Sequence, residues 1–174
     1  MATSGIELSL SPGSELPAVS VILPVLNEES HLASAVRSIL SQNYQGDIQV
    51  ILALGPSKDK TDQIAQGLVS SDSRISIVRN PSGRTASGLN LAINKSTNPV
   101  IVRVDAHSEL QNNYISLAIE VMKSTGAVNV GGIMGAKGTS IFERSVAAAM
   151  RSPLGVGASR FHTGGESGYV DTVY

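Results

Sequence analysis

Short β-branched blocks alternate along this chain with stretches in which apolar side chains recur every three or four residues. "AVSVILPV", residues 18–25, is almost wholly apolar, as a strand buried on both faces should be. Over Glu28 to Gln42, Leu32, Val36, Ile39 and Leu40 fall at helical spacing, and Asn27 is placed to cap that helix. "DIQVILAL" reads as a second strand, and Thr61 to Ser70 as a helix with Ile64, Ala65 and Leu68 inward. "RISIVR" alternates like a strand, and Thr85 to Asn94 carries Leu89, Ala92 and Ile93 on one helical face. "PVIVRVD" is a fourth strand. Asn113 to Ser124 predicts a helix with Tyr114, Leu117, Ala118 and Val121 inward. A strand over "AVNVGGIM" and a helix over "TSIFERSVAAAMR" complete the series.

Such alternation predicts an α/β domain with a mainly parallel sheet and helices on both faces. In that architecture ligands bind outside the carboxyl ends of the strands. Four such ends are rich in polar and turn-forming residues: "PVLNEE", "GPSKDKT", "NPSGRT" and "DAH". One such loop means little, but four on one rim predict a binding crevice. No G-x-G-x-x-G, G-x-x-x-x-G-K-[ST] or G-x-S-x-G is present, which argues against dinucleotide, P-loop and serine-hydrolase chemistry.

Composition narrows the class only a little. The 174 residues are 41% hydrophobic and 16% charged, an ordinary globular balance. Thirteen basic and fourteen acidic residues leave a formal charge of -1, so a nucleic-acid partner is not expected. Without cysteine there is neither a disulfide framework nor a thiolate metal site. No apolar run approaches the roughly 20 residues of a membrane-spanning helix. The first sixteen residues, rich in Ser, Gly and Pro, lack a secretory pattern and are expected to form a mobile arm before a domain over 17–174.

Asp105 and His107 are the chemically pointed pair. If the chain stays extended past Val104, both lie on one face, and a carboxylate and an imidazole could share a cation. The spacing alone favours an aspartate capping a turn beside a solvent-exposed histidine. Arg103, on the same face, is either paired with an acid or aimed at a ligand.

"VSVILPVLNEESHLASAVRSILSQ", "NPSGRTASGLNLAI" and "VIVRVDAHSEL", in this order, resemble the family 2 glycosyltransferases of GT-A fold. "SPLGVGASRFH" and "GYVDTVY" extend the resemblance to the succinoglycan-type exopolysaccharide transferases, whose metal motif reads D-A-H. The likeness covers Pro17 to Tyr174. It implies a Rossmann-like nucleotide-diphospho-sugar fold and an inverting transfer of sugar from a nucleotide-sugar to an acceptor hydroxyl on a glycan or lipid-linked sugar. It further implies Asp105 and His107 as ligands of Mn²⁺ or Mg²⁺, with Asp105 also touching the nucleotide.

Carried over by position, the resemblance places Pro24, Asn27 and Glu28 near the base and ribose, Ser57 and Asp59 in the second-strand loop, and Arg84 near the nucleotide. Simpler roles stay open: Asn27 as a cap, Glu28 at a helix's positive end, Arg84 as a solvated side chain. The family's base-binding aspartates fall on Leu54 and Gly55, so the nucleotide is left unassigned. The catalytic base is expected beyond Tyr174, with Asp171 as a substitute within the chain. Gly131 and Gly132 relieve packing or leave room for the sugar, and His162 lies in a glycine-rich stretch suited to a mobile loop. A cytoplasmic protein at the inner membrane face, self-associating through an open sheet edge, is the implied setting. The rival expectations are a nucleotide-binding module without turnover and a nucleotidyltransferase, the latter lacking its usual glycine- and arginine-rich first loop.

Overall fold

A computed structural model describes residues 16–133, 135, 145 and 168–170. The expected arm apart from Leu16, the helix over 139–151 apart from Ser145, and residues 152–174 apart from 168–170 lie outside them, His162 and Asp171 included. The elements run β1 Val19–Val25, α1 Leu32–Leu40, β2 Ile48–Leu54, α2 Thr61–Ser71, β3 Ile75–Arg79, α3 Thr85–Lys95, β4 Val100–Arg103 and α4 Tyr114–Thr125. The chain divides into two units, residues 1–115 and 116–174, and the sheet belongs to the first.

All strand pairs are parallel, in the order β3-β2-β1-β4. Right-handed crossovers set α1 and α2 on one face of this sheet and α3 on the other. Strand residues alternate between the two. Ile22, Ile51 and Ala53 pack with Val78 against Leu89 and Ala92 of α3. Val21, Leu23, Val50 and Leu52 point the opposite way, towards the face covered by α1, whose Leu32, Ala35, Val36 and Ile39 are buried. Each buried Leu, Ile or Val of this kind contributes about 1.5–3 kcal/mol. Close approach of α3 depends on Gly88: a Cβ there would stand 2.9 Å from Asn80 Nδ2 and 3.3 Å from Ala53 Cβ.

The helices depart from expectation in instructive ways. The first begins at Leu32 rather than Glu28, with His31 in the cap position and no side-chain cap bond. Asn27 does not cap it. Its φ of 56° is left-handed, a region that asparagine tolerates better than most residues, and that turn delays the helix. Ile93 is exposed rather than inward. The fourth helix is rotated from its expected phase: Ile115 and Ile119 are buried, while Leu117 and Val121 are exposed. Apolar residues occupy much of its circumference, so spacing alone left the phase undetermined. Gln42 anchors its first turn by accepting from Ile115 N–H at 3.0 Å while donating to the Gln111 carbonyl at 2.6 Å.

The fifth strand does not form over residues 127–133. Two successive glycines and an asparagine suit a strand poorly, and Val128 and Ile133 are exposed. Among the described residues no helix is long and apolar enough to cross a membrane.

Candidate functional site

The strand order reverses direction beside β1, where the chain returns from β3 to place β4 on the far side. That reversal marks the usual ligand crevice of an open parallel sheet. The crevice has a local cause in Pro24. Val25 O accepts from Gly55 N–H on the β2 side at 2.8 Å, and Ile22 O accepts from Val104 N–H on the β4 side at 3.1 Å. By the alternation of a strand, the nitrogen of residue 24 faces β4, and proline has no hydrogen to give there. Pairing of β1 with β2 therefore runs to Val25–Leu54, whereas pairing with β4 stops at Ile22–Arg103. The two strand ends part.

A cleft of about 210 Å³ opens where they part, and its lining includes Pro24, Leu26, Gly83, Glu28, Arg103, Asp105 and His107. The extended path expected for Asp105 and His107 is not taken. β4 ends at Arg103, and Ser108 N–H closes a turn on Asp105 O at 2.8 Å. Both side chains reach the cleft through this turn, with Ala106 buried between them.

Charged groups meet here in pairs. Glu28 Oε1 lies 3.0 Å from His107 Nδ1, and Glu28 Oε2 lies 3.4 Å from His31 Nδ1. Arg103 Nη2 lies 3.0 Å from Asp105 Oδ1. The two carboxylates are recessed, with side chains 17% and 14% exposed, while His107 is 61% exposed. Contact with Glu28 favours the tautomer carrying its proton on Nδ1, which leaves the Nε2 lone pair for a ligand. No cluster of three or more acidic, histidine or cysteine side chains suited to a metal occurs among the described residues.

Asn27, Ser57 and Asp59 are not among the residues that line this cleft, and their side chains join two loops. Five hydrogen bonds zip the loop after β1 to the loop after β2, each between a side-chain oxygen and a backbone N–H. Asn27 N–H donates to Ser57 Oγ at 3.0 Å and Glu28 N–H to Thr61 Oγ1 at 2.7 Å. Glu29 N–H donates to Asp59 Oδ2 at 3.2 Å. In return, Asn27 Oδ1 accepts from Lys58 N–H at 2.8 Å and Glu29 Oε2 from Lys60 N–H at 2.9 Å. The hydrogen bond with the Thr61 side chain, helped by the Thr61 and Glu29 amides, holds the Asp59 carboxyl below its ordinary range. Thr61, fully buried, was not singled out from sequence; a threonine opening a helix directly after "DK" was its only signal.

The loop after β3 is organised by buried Asn80, which donates from Nδ2 to Arg84 O at 3.0 Å and accepts from Ser82 Oγ at 2.8 Å. Gly83 takes φ 65° to close this turn. Arg84 follows at the α3 cap position, exposed and outside the cleft lining. Leu54 is 1% exposed and belongs to the core rather than to the cleft. Next to it, a Cβ on Gly55 would stand 3.0 Å from Leu26 Cδ1 and 3.3 Å from Gly83 Cα. The third atom nearest that Cβ would be Val25 O at 3.3 Å, so none of the three nearest belongs to a carboxylate. A shallower groove of about 330 Å³ between α1 and α2 is lined by Ala33, Val36, Arg37, Leu40, Ser41 and Leu68, with no acid or histidine.

Comparison with known proteins decides the family. The family description "Glycosyl transferase family 2" matches residues 20–168. The chain belongs to glycosyl transferase family 2. Among curated relatives of this family 2 chain is the "Succinoglycan biosynthesis protein ExoA" of Rhizobium meliloti, 30% identical over 146 residues, covering 83% of this chain and 44% of that protein. An "Uncharacterized glycosyltransferase" of Haemophilus influenzae is 28% identical over 62% of this chain and 43% of its own length. The chain thus spans less than half the length of these relatives. Among solved structures, S. aureus TarS 1–349 in complex with UDP superposes with a TM-score of 0.62 at 18% identity, covering 71% of this chain and 38% of that one. A complex of the same TarS fragment with UDP-GlcNAc gives 0.60. That likeness is one of fold, and it is the GT-A α/β fold.

Proposed function

We propose that the cleft between β1 and β4 binds the diphosphate of a nucleotide-sugar, and that the protein transfers the sugar, with inversion, to a glycan or lipid-linked acceptor in exopolysaccharide or cell-envelope synthesis. The observation that carries this reading is the convergence of Glu28, Asp105 and His107 at the switch point of a family 2 chain. TarS forms complexes with UDP and UDP-GlcNAc, which supports a nucleotide-sugar as the ligand class. The relationship to a succinoglycan biosynthesis protein supports exopolysaccharide synthesis as the setting, and action in the cytoplasm beside the membrane is part of this proposal.

The donor set fits a divalent cation in part. Asp105 supplies a recessed carboxylate, and His107, oriented by Glu28 as metal-bound histidines commonly are, supplies a ring nitrogen. Two protein ligands make an incomplete shell for Mn²⁺ or Mg²⁺, which phosphate and water oxygens must complete. When bound, such an ion stabilises charge developing on the departing diphosphate. The remaining work falls to the chain. Pro24, Leu26 and Gly83 provide a wall for the nucleoside, and the zipped loops hold Glu28 in place. Transfer forms a bond from the acceptor oxygen to the anomeric carbon and breaks the bond to the diphosphate, while a carboxylate takes the acceptor's proton.

Glu28 and Asp105, the acids lining the cleft, are both engaged with cationic or imidazole partners. The base is therefore proposed to come from outside the described residues. The same engagement favours, as a second reading, a nucleotide-binding module without turnover.

Manganese paramagnetic resonance tests the site. Mn²⁺ binding is expected to be weak alone, to tighten with UDP or GDP, and to vanish in Asp105→Ala and His107→Ala. Unchanged binding in both variants would refute the assignment. With no carboxylate beside Gly55, UDP and GDP should bind within about tenfold of each other, not the roughly 10⁴ that a dedicated buried partner can give. Radiolabelled sugar transfer by the 174-residue chain would exclude the silent module and place the base within these residues.

A further inference from the structure

Arg103 closes β4 and enters the cleft beside Asp105. Its Nη2 stands 3.0 Å from Oδ1 and 3.4 Å from Oδ2 of that carboxylate, and its Nε stands 3.3 Å from Oδ1. The grip is lopsided: Oδ1 takes the good bond, and Oδ2 is held at the limit of hydrogen bonding. The two side chains also differ in setting, the carboxylate 14% exposed and the arginine 48%. A pair of uneven geometry with a half-exposed arginine can exchange partners when a stronger ligand arrives. Register with Ile22 fixes the Arg103 backbone, so an exchange needs only side-chain rotation.

We infer that Arg103 is an internal counter-ion of the donor site, a residue that competes with the divalent cation for Asp105 and then turns to a phosphate oxygen of the nucleoside diphosphate. The inference rests on the donor-binding reading above and assigns a role that this reading leaves open. With no donor bound, the guanidinium lies against the recessed Asp105 carboxylate and offsets part of its charge. A cation arriving with its diphosphate brings both a stronger partner for Asp105 and a new anion for Arg103. The planar guanidinium suits that second task, since it matches phosphate oxygens with two parallel bonds. Arg103 is on this account a positioning residue for the cation and a binding residue for the diphosphate.

The two roles predict effects of opposite sign. Arg103→Gln should bind Mn²⁺ alone about tenfold more tightly, because the competing charge is gone. The same variant should bind UDP in saturating Mn²⁺ about tenfold more weakly. Arg103→Lys, which keeps the charge and loses the fork, should hold Mn²⁺ within about twofold of the wild type and bind UDP a few-fold more weakly. Paramagnetic resonance for Mn²⁺ and calorimetry for UDP supply the readouts, with thermal unfolding to verify folding. A purely structural role would weaken both ligands together in Arg103→Gln, and that result, or no change in either, overturns the inference. Should that variant not fold, a loss of Mn²⁺ affinity in Arg103→Lys overturns it instead. A wild-type chain that binds neither Mn²⁺ nor UDP defeats the donor-binding reading, and this inference with it.

Discussion

The loop after β1 has two neighbours and bonds to them in two different ways. Towards the loop after β2 it forms a seam in which side-chain oxygens accept from backbone amides, Thr61 Oγ1 from Glu28 N–H being the most buried instance. Towards the turn after β4 it forms a mouth, where side chain meets side chain: Glu28 with His107, beside Asp105 with Arg103. Bonds of the first kind fix the backbone. Those of the second join groups that can exchange partners when a cation or phosphate arrives. Glu28 belongs to both, its amide in the seam and its carboxylate in the mouth. The seam therefore holds the shape of the site, and the mouth holds its chemistry.

Removing the mouth half of Glu28 should give the largest effect. Glu28→Ala keeps the amide bond to Thr61 and removes the group that orients His107. Loss of such an orienting partner typically weakens metal binding by about 10- to 100-fold. Stability should change by no more than about 0.5 kcal/mol, as for most substitutions away from the core. Calorimetry of Mn²⁺ with UDP, alongside urea unfolding, reads both quantities. A large loss of stability with little loss of binding would place Glu28 in the seam alone.

Thr61→Val makes the complementary cut. It removes the acceptor of a partly buried amide and leaves that N–H without its partner, which costs about 1 kcal/mol, the low end for an unsatisfied group. Because no mouth side chain is touched, binding of UDP should weaken by less than about threefold once the protein is folded. Urea unfolding gives the stability, with an unchanged slope expected for an unchanged fold. If binding collapses while stability holds, seam and mouth are not separable in the way their bonding suggests.

The sequence made the sheet legible and the seam almost invisible. β1 and β2 announce themselves because strands buried on both faces must be apolar throughout, and "VSVILPV" and "IQVILAL" are. Asp105 and His107 were legible as a pair by residue type, although a turn rather than an extended strand brings them to the cleft. Asn27, Ser57 and Asp59 were legible as polar loop residues, but the seam they form was not. Their hydrogen bonds join loops about thirty residues apart, and turn-forming residues look alike whether they face a ligand or another loop. Pro24 read as a binding position, yet its missing N–H also explains why the cleft opens at all. The phase of α4 was lost for a different reason, since a helix apolar on several sides carries no single stripe to read.

The smallest effect concerns pH and belongs to the seam. The Asp59 carboxyl is held below its ordinary range, first by its hydrogen bond with the Thr61 side chain and then by the Thr61 and Glu29 amides. A carboxyl depressed in the folded state adds stability that is present above its unfolded value, about 3.9. That contribution fades as pH falls through the lower folded value. Wild type should therefore lose melting temperature between pH 5 and pH 3 somewhat faster than Asp59→Asn, which cannot titrate there. The gap between the two should be widest near pH 7 and should narrow in acid. Asp72 also titrates in acid, at about 2, because of its side-chain hydrogen bond with Arg74, but it is common to both proteins and cancels. Scanning calorimetry at several pH values measures the gap. A gap that stays constant with pH would mean that Asp59 contributes to the seam by shape alone, and the charge on that loop would then be irrelevant to holding Glu28 at the mouth.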